Sequence, residues 1–362
     1  MTTFTVGTPN AIAALDCNTI FGLAADATVS TSFPLDTSFV ERLGVAADGV
    51  GGYYYVSCPS ADSGEMIALG ADGMKRWEVD LATCDGLIIA GPEGPYLQRV
   101  QDGTTTAYAY ADGSPRWSAN LQAGGGFVRP RPGGGVFAYS TANSSQIFTL
   151  DASGAMLDTR SLLSSDGSPV VLYDFAPTDD GSGLAITGSF SSATLDLGDI
   201  TLTNAANSAT TFVAMLNTNA TTRWAYTIPT PNNESCLPAA CEIFDSIVCV
   251  GDQVVISGGY VGANTLGLPL PSLTNGAGDA FLAVFDATGF DHAVQIGGPS
   301  IKQPDSELVS ESDGSIWVTI YTEDEFNATT DQTTGSSGLT IGSTTYTNPG
   351  DVSVTYLVNL VP

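Results

Sequence analysis

The chain has little positive charge and almost no histidine. Its 362 residues include ten lysines and arginines against 38 acidic residues, and one histidine, His292. The resulting formal net charge of −28 repels phosphate backbones and anionic lipid, which excludes nucleic acid and membrane surfaces as partners. Arg129 and Arg131 in FVRPRPGGG read as a solvated turn rather than a basic stripe. With one histidine and no Cys-x-x-Cys pair there is no zinc ligand set, and His292 in FDHAV reads as a residue on a strand. No apolar run is long enough to span a bilayer. No stretch keeps a 3.6-residue apolar period, so helix should be scarce. The start is poor in charge as well. The first basic residue is Arg42, and Asp16 stands beside Cys17 in AIAALDC, so neither a secretory nor a lipoprotein leader is legible in this chain.

Turn formers are plentiful, with 41 glycines and 19 prolines separating short β-branched and aromatic runs. Six cysteines lie at 17, 58, 84, 236, 241 and 249. Cys236 and Cys241 flank LPAA in a Pro- and Asn-rich segment, where a local disulfide would pin chain that has little core of its own. Cys58 with Cys84 is a second candidate pair. Cys249, inside SIVCVG, reads as a buried thiol.

A repeat organises the rest. LTNAANSATTFVAMLNTNA, LTNGAGDAFLAVFDATG and YTNPGDVSVTYLVNL place a Thr-Asn pair at Asn204, Asn275 and Asn348. A turn-and-strand signature runs more widely through LGADGMKRWEVDL, YADGSPRWSANL, LDASGAMLDTRSL, LNTNATTRWAYTI and FDATGFDHAVQI, and YLVNLVP ends where a sixth turn should begin. An earlier turn-and-strand pair precedes each copy: ADGVGGYYYVS, GPEGPYLQRV, PRPGGGVFAYS, PTDDGSGLAITGSF, GDQVVISGGY and SDGSIWVTIY. Two hairpins per unit make a four-stranded antiparallel sheet, and a period of about 40 residues or more is that of propeller blades. The chain therefore reads as all-β, a single β-propeller of six four-stranded blades in residues 36–362. Blades are short over about 40–165 and longer over about 168–362, with residues 1–35 as a closing segment. The N-terminal strand TTFTVGT would pair with VTYLVNLV and remove the open edge. A seventh blade built from residues 1–40 is the alternative.

GSFSSATLDLGDITLTNAANSATTFVAMLNTNATTRWAY and GGYVGANTLGLPLPSLTNGAGDAFLAVFDATG resemble the bacterial β-propeller repeats of SBBP type, with their Gly-x-Phe, Leu-Thr, Phe-Val-Ala, Leu-Asp and Trp. The first three units, with a turn before RW, resemble pyrroloquinoline-quinone-type blades. The resemblance implies a propeller and is nearly silent on activity. The quinone enzymes of that class commonly need a vicinal Cys pair, and the chain has no adjacent cysteines. No catalytic residue carries over and no cofactor is expected.

The longer units carry insertions between their second and third strands, at residues 191–210, 261–279 and 323–351. These are expected to share one face with the inter-blade connections, while tight turns around Asp48, Asp72, Asp112, Asp180 and Asp313 occupy the other. The elaborated face supplies the candidate binding residues: apolar Leu266, Leu268 and Leu270 in LGLPLPSL, and Glu323, Asp324, Glu325, Phe326 and Asp331 in EDEFNATTD. Glu323, Asp324 and Asp331 are oxygen donors of the calcium-binding kind, with a solvated acidic loop as the plain reading. Three functions fit. The first is a non-catalytic display, adhesion or structural module of an extracellular assembly, such as a phage tail or capsid appendage, whose partners are protein subunits. The second is a secreted or cell-surface bacterial propeller binding a protein receptor or a glycan. The third is a carboxylate-based glycan hydrolase, for which no pair among 38 acidic residues can be singled out without geometry.

Overall fold

A computed structural model describes residues 3–7, 11–16, 19–23, 29–34, 41–60, 63–84, 86–99, 103–121, 127–140, 145–204, 209–218, 221–228, 246–260, 279–297, 301–310, 316–323, 326–327, 332–333, 338–341, 344–347 and 354–360. Every regular element among them is a β-strand. The strands form seven successive antiparallel sheets, over residues 3–34, 41–81, 87–120, 128–161, 171–228, 246–297 and 301–360. Five have four strands. The sixth begins with four and is extended by two more, and the seventh has three. Within each of these sheets the strands that belong to it pair in chain order, the meander of a propeller blade.

Contacts divide the chain into two compact units, Met1–Leu162 and Leu163–Pro362. In the first unit, residues 1–35 were expected as a closing segment, with a seventh blade over 1–40 as the alternative. Residues 3–34 form a four-stranded sheet, with Thr3–Gly7 paired to Ala11–Asp16. In the second unit, Val354–Leu360 pairs with Ile316–Glu323.

Alternation of side chains along each strand sends residues to two faces, and within each unit neighbouring sheets bury them against one another. Tyr54, Val56, Met66, Ala68 and Trp77 of the second sheet pack with Ile88, Ala90, Leu97 and Tyr108 of the third. Tyr96 and Ala107 pack with Val128, Val136 and Ala138 of the fourth. In the second unit, Val213, Met215 and Trp224 pack with Ile247, Ile256 and Phe281. Inner strands such as Val136–Ser140 are wholly buried, whereas last strands such as Pro115–Asn120 are largely exposed.

One irregularity recurs. The ladder between third and fourth strands slips at Gly22/Leu23, Ala68/Leu69, Ala107/Tyr108, Thr149/Leu150, Met215/Leu216 and Val284/Phe285. A bulge at the same place in six sheets bends each hairpin alike before its turn.

The described parts of the first and third insertions reach outer strands. Thr194–Asp196 and Thr201–Thr203 form a hairpin that pairs with Leu163–Ser164. Its tip reaches the outer strand of its own sheet, where Leu197 O accepts from Thr222 Oγ1 at 2.6 Å and Asp199 Oδ1 from Thr222 N at 2.7 Å. The hairpin Gly338–Ile341 with Thr344–Thr347 pairs with Gly289–Gly297, the outer strand of the sixth sheet. Both insertions cover edge strands, which would otherwise offer unpaired backbone to other chains. Residues 261–278 of the middle insertion lie outside the described residues.

Cys58 and Cys84 form a disulfide that ties the second strand of the second sheet to the connection leading into the third. Serine at both positions should lower the stability of the unit Met1–Leu162 by about 2–4 kcal/mol, because the open chain regains loop entropy. The check is urea unfolding with and without reductant, thiols being counted to prove reduction. An unmoved midpoint would show that the bridge contributes nothing.

Candidate interaction surface

An aspartate side chain closes a short turn in each of the second to sixth sheets. Asp48 Oδ1 accepts from Val50 N at 2.9 Å and Gly52 N at 2.7 Å. Asp72 accepts from Met74 N, Asp112 from Ser114 N, Asp151 from Ser153 N, Asp180 from Ser182 N and Asp286 from Thr288 N. The expected turn chemistry at Asp48, Asp72, Asp112 and Asp180 is therefore what the structure has, and Asp313 lies outside the described residues. Hydrogen bonds from Ser114, Ser153 and Thr288 hold the Asp112, Asp151 and Asp286 carboxyls below their usual range. Those from Ser182 and Thr178 bring Asp180 down to about 2. The stability these four contribute is present above the unfolded carboxylate pKa and lost as pH falls through the lowered folded values.

At this turn end of the first unit, Val50 and Met74 are each 68% exposed and Tyr110 is 38% exposed. Their turns touch: a Cβ on Gly51 would stand 3.1 Å from the Ala71 Cβ. Beneath them, Arg76 Nη2 lies 3.1 Å from Asp48 Oδ2. The Arg76 guanidinium sits 4.3 Å from the Tyr110 ring centroid and 5.5 Å from that of Tyr54. Tyr110 donates to Asp48 Oδ2 at 3.3 Å, and its carbonyl accepts from Trp77 Nε1 at 2.9 Å. Tyr110 and Arg76 are thus held in place before any partner arrives, with two apolar side chains beside them. Aromatic residues, Arg and Met are the types enriched where proteins bind one another, and preorganisation lowers the entropy cost of binding.

Leu266, Leu268, Leu270, Asp324, Glu325, Asp331, Cys236 and Cys241 fall outside the described residues. Glu323 ends the strand Ile316–Glu323, opposite Ile301. Phe326 begins a two-residue strand paired with Gln332–Thr333. Arg131, read as solvated, instead donates to Leu150 O at 3.2 Å and lies 5.4 Å from the Phe137 ring centroid. Cys249 is a buried free thiol, as read, and burial pushes it up to about 12, which keeps it from being a thiolate nucleophile at neutral pH. His292 is half-exposed on its strand, its Nδ1 3.1 Å from Asp291 Oδ2. Among the described residues one carboxylate group, Glu65, Glu78 and Asp80, is close enough together to hold a metal ion.

The sequence signal for the turn patch was present but small. Val50, Met74 and Tyr110 each adjoin an Asp-Gly or Gly-rich turn, and apolar residues in such turns are out of place unless something covers them.

No family model matches the chain, and no curated protein does. Solved structures similar to it include BamB from Moraxella catarrhalis, at 12% identity over 86% of this chain and 92% of that one, TM-score 0.48. A structure of the Dos1 propeller is similar at 9% identity over 87% and 89%, TM-score 0.47. The C-terminal WD40 domain of Sif2 is similar at 12% over 70% and 66%, TM-score 0.42.

Proposed function

We propose that this chain is a non-catalytic β-propeller scaffold whose seven sheets are its blades, and that it works as a structural or adhesion module of an extracellular assembly. Its turn-end patch docks onto a basic protein surface. The observation that carries this reading is the patch itself: Val50, Met74 and Tyr110 exposed together above an Arg76–Asp48 pair already fixed in place. A chain of net charge −28 selects a cationic partner and speeds the encounter. The disulfide Cys58–Cys84 fits an oxidising compartment. The groups with chemical potential are bound into the fold: turn aspartates held by their own turns, a buried thiol and an imidazole paired with its neighbour.

The test is sedimentation of the source material, with the chain followed by antibody, comparing wild type with Val50→Asp/Met74→Asp. Both side chains are mostly in solvent, so the variant should unfold at an unchanged temperature. Wild type should travel with large particles or the cell surface and be released by salt, while the double variant should stay soluble. A free wild-type chain, or a double variant that still sediments, would overturn the proposal.

A further inference from the structure

The second sheet carries a row of polar residues on the face opposite the one packed against the third. Tyr54, Val56, Met66 and Trp77 face the third sheet, and Tyr53, Tyr55, Ile67 and Leu69 face the other way. Strand register continues that second face through Ser57 opposite Glu65, Glu65 opposite Asp80, and Ile67 opposite Glu78. Three carboxylates and a hydroxyl therefore project from one face of three adjacent strands. Oxygens of Glu65, Glu78 and Asp80 all lie within 4.8 Å of one another.

Two features of this row work against the metal-free fold. Acidic residues directly opposite each other on a ladder repel and destabilise it. Burial first, then the Glu78 and Asp80 carboxylates, raise the pKa of Glu65. The nearby cation is Lys75, which pairs with Glu78, and its side chain is 57% exposed. The second feature is independent of charge. Ser57 is wholly buried, and its Oγ has no hydrogen-bond partner, although a buried hydroxyl left unpaired costs about 1–3 kcal/mol. It projects beside Glu65, with its lone pairs free.

We propose that Glu65, Glu78, Asp80 and Ser57 form a binding site for a hard divalent cation of the calcium class. All four donors are oxygen, which favours calcium or magnesium over the softer metals that seek nitrogen and sulfur. Strand-borne carboxylates of two lengths suit the loose, high-coordination shell of calcium better than the strict octahedron of magnesium, with water completing the shell. The cation would neutralise the repulsion across the ladder and give Ser57 Oγ its missing partner. Lys75 would release Glu78 and move into solvent. The site shares the strand Lys75–Leu81 with Arg76 of the turn patch, and the proposal does not depend on what that patch binds.

The experiment is thermal unfolding of the full chain in chelator, in millimolar CaCl2 and in millimolar MgCl2 at fixed ionic strength, with isothermal titration of calcium alongside. Wild type should gain several degrees with calcium and less with magnesium, since a ligand that binds only the folded state stabilises it. Glu65→Gln should unfold at a higher temperature than wild type in chelator and lose the calcium-specific gain. Ser57→Ala should keep the fold and bind calcium about tenfold more weakly. The same calcium shift in wild type and Glu65→Gln would place the effect elsewhere on the acidic surface and overturn the site. So would the absence of a shift in wild type, or a Glu65→Gln variant less stable in chelator.

Discussion

Replacing Asp174 with alanine is expected to cost the unit Leu163–Pro362 about 3–5 kcal/mol, enough to leave its isolated fold marginal against a total of about 5–15 kcal/mol. Asp174 is 3% exposed and stands at a bulge in the first strand of the fifth sheet, where the register slips between Leu172 and Asp174. One carboxylate oxygen accepts from Phe175 N at 2.8 Å. The other accepts from Ile247 N at 3.1 Å and Ser246 Oγ at 3.2 Å, on the first strand of the sixth sheet. Ser246 Oγ in turn accepts from Leu308 N at 3.0 Å, on the first strand of the seventh. Asp174 thus ties the first strands of the fifth and sixth sheets, and Ser246 carries the tie to the first strand of the seventh. Alanine would strand buried N–H donors, whose loss is costlier than a hydrogen bond is worth. Asparagine keeps one acceptor oxygen but turns N–H toward a donor, so it should cost about half as much. Urea unfolding of the three proteins checks this, and an alanine variant within about 1 kcal/mol of wild type would show that water replaces the carboxylate at little cost.

How much of this could be read beforehand depends on which residues carry the signal. The sheets from the second onward announce themselves through Asp or Asn turns and short β-branched runs, and the described turns of the second to sixth sheets close as their aspartates require. The first sheet was legible only as the alternative of a seventh blade because its signature is weak. Leu23 takes the bulge position that Leu69 and Leu150 take in later sheets, but the residues that follow, AADAT, have no glycine, and no tryptophan marks its last strand. Without those marks, residues 1–35 read first as a closing segment and only second as a blade.

The insertions were read as sharing one face with the inter-blade connections, and where their hairpins pair was not legible. ATLDLGDITLT shows two strands by alternation, but nothing local says that its tip will bond Thr222 on the outer strand. That pairing is a tertiary choice that protects an edge. The turn patch was hidden for the opposite reason. Val50, Met74 and Tyr110 are far apart in the chain, and only the meander brings their turns to one end. The acidic row of the second sheet is also a matter of register, since Ser57, Glu65 and Asp80 become neighbours only once three strands are aligned.

Trp77→Ala should destabilise the unit Met1–Leu162 by about 3–5 kcal/mol, and its partners show why. Trp77 is 8% exposed, with its ring centroid 5.7 Å from that of Tyr54. Its Nε1 donates to Tyr110 O in the turn of the next sheet, and Gly113 of that turn lies against the ring. A Cβ at Gly113 would come within 2.7 Å of Trp77 Cε3, and the backbone there has φ +70. The arrangement is repeated one sheet on, where Trp117 Nε1 donates to Ala152 O at 3.1 Å and a Cβ on Gly154 would stand 2.7 Å from its ring. In the second unit the tyrosine of WAY takes the role, with Tyr226 Oη donating to Ala287 O at 2.8 Å. The RW signature therefore marks a clasp between successive sheets: an aromatic on the last strand of one holds the turn of the next. Phenylalanine at position 77 keeps most of the packing but strands a carbonyl, so it should cost about 1–2 kcal/mol. Gly113→Ala should cost about 1–3 kcal/mol, from clash and left-handed backbone together. The decisive measurement is the double variant. If Gly113 serves the tryptophan, Gly113→Ala should cost markedly less in the Trp77→Ala background than in wild type, because the clash is gone and only the backbone strain remains. Equal costs in both backgrounds would mean that the glycine answers to its turn alone and that the clasp rests on the ring and its hydrogen bond.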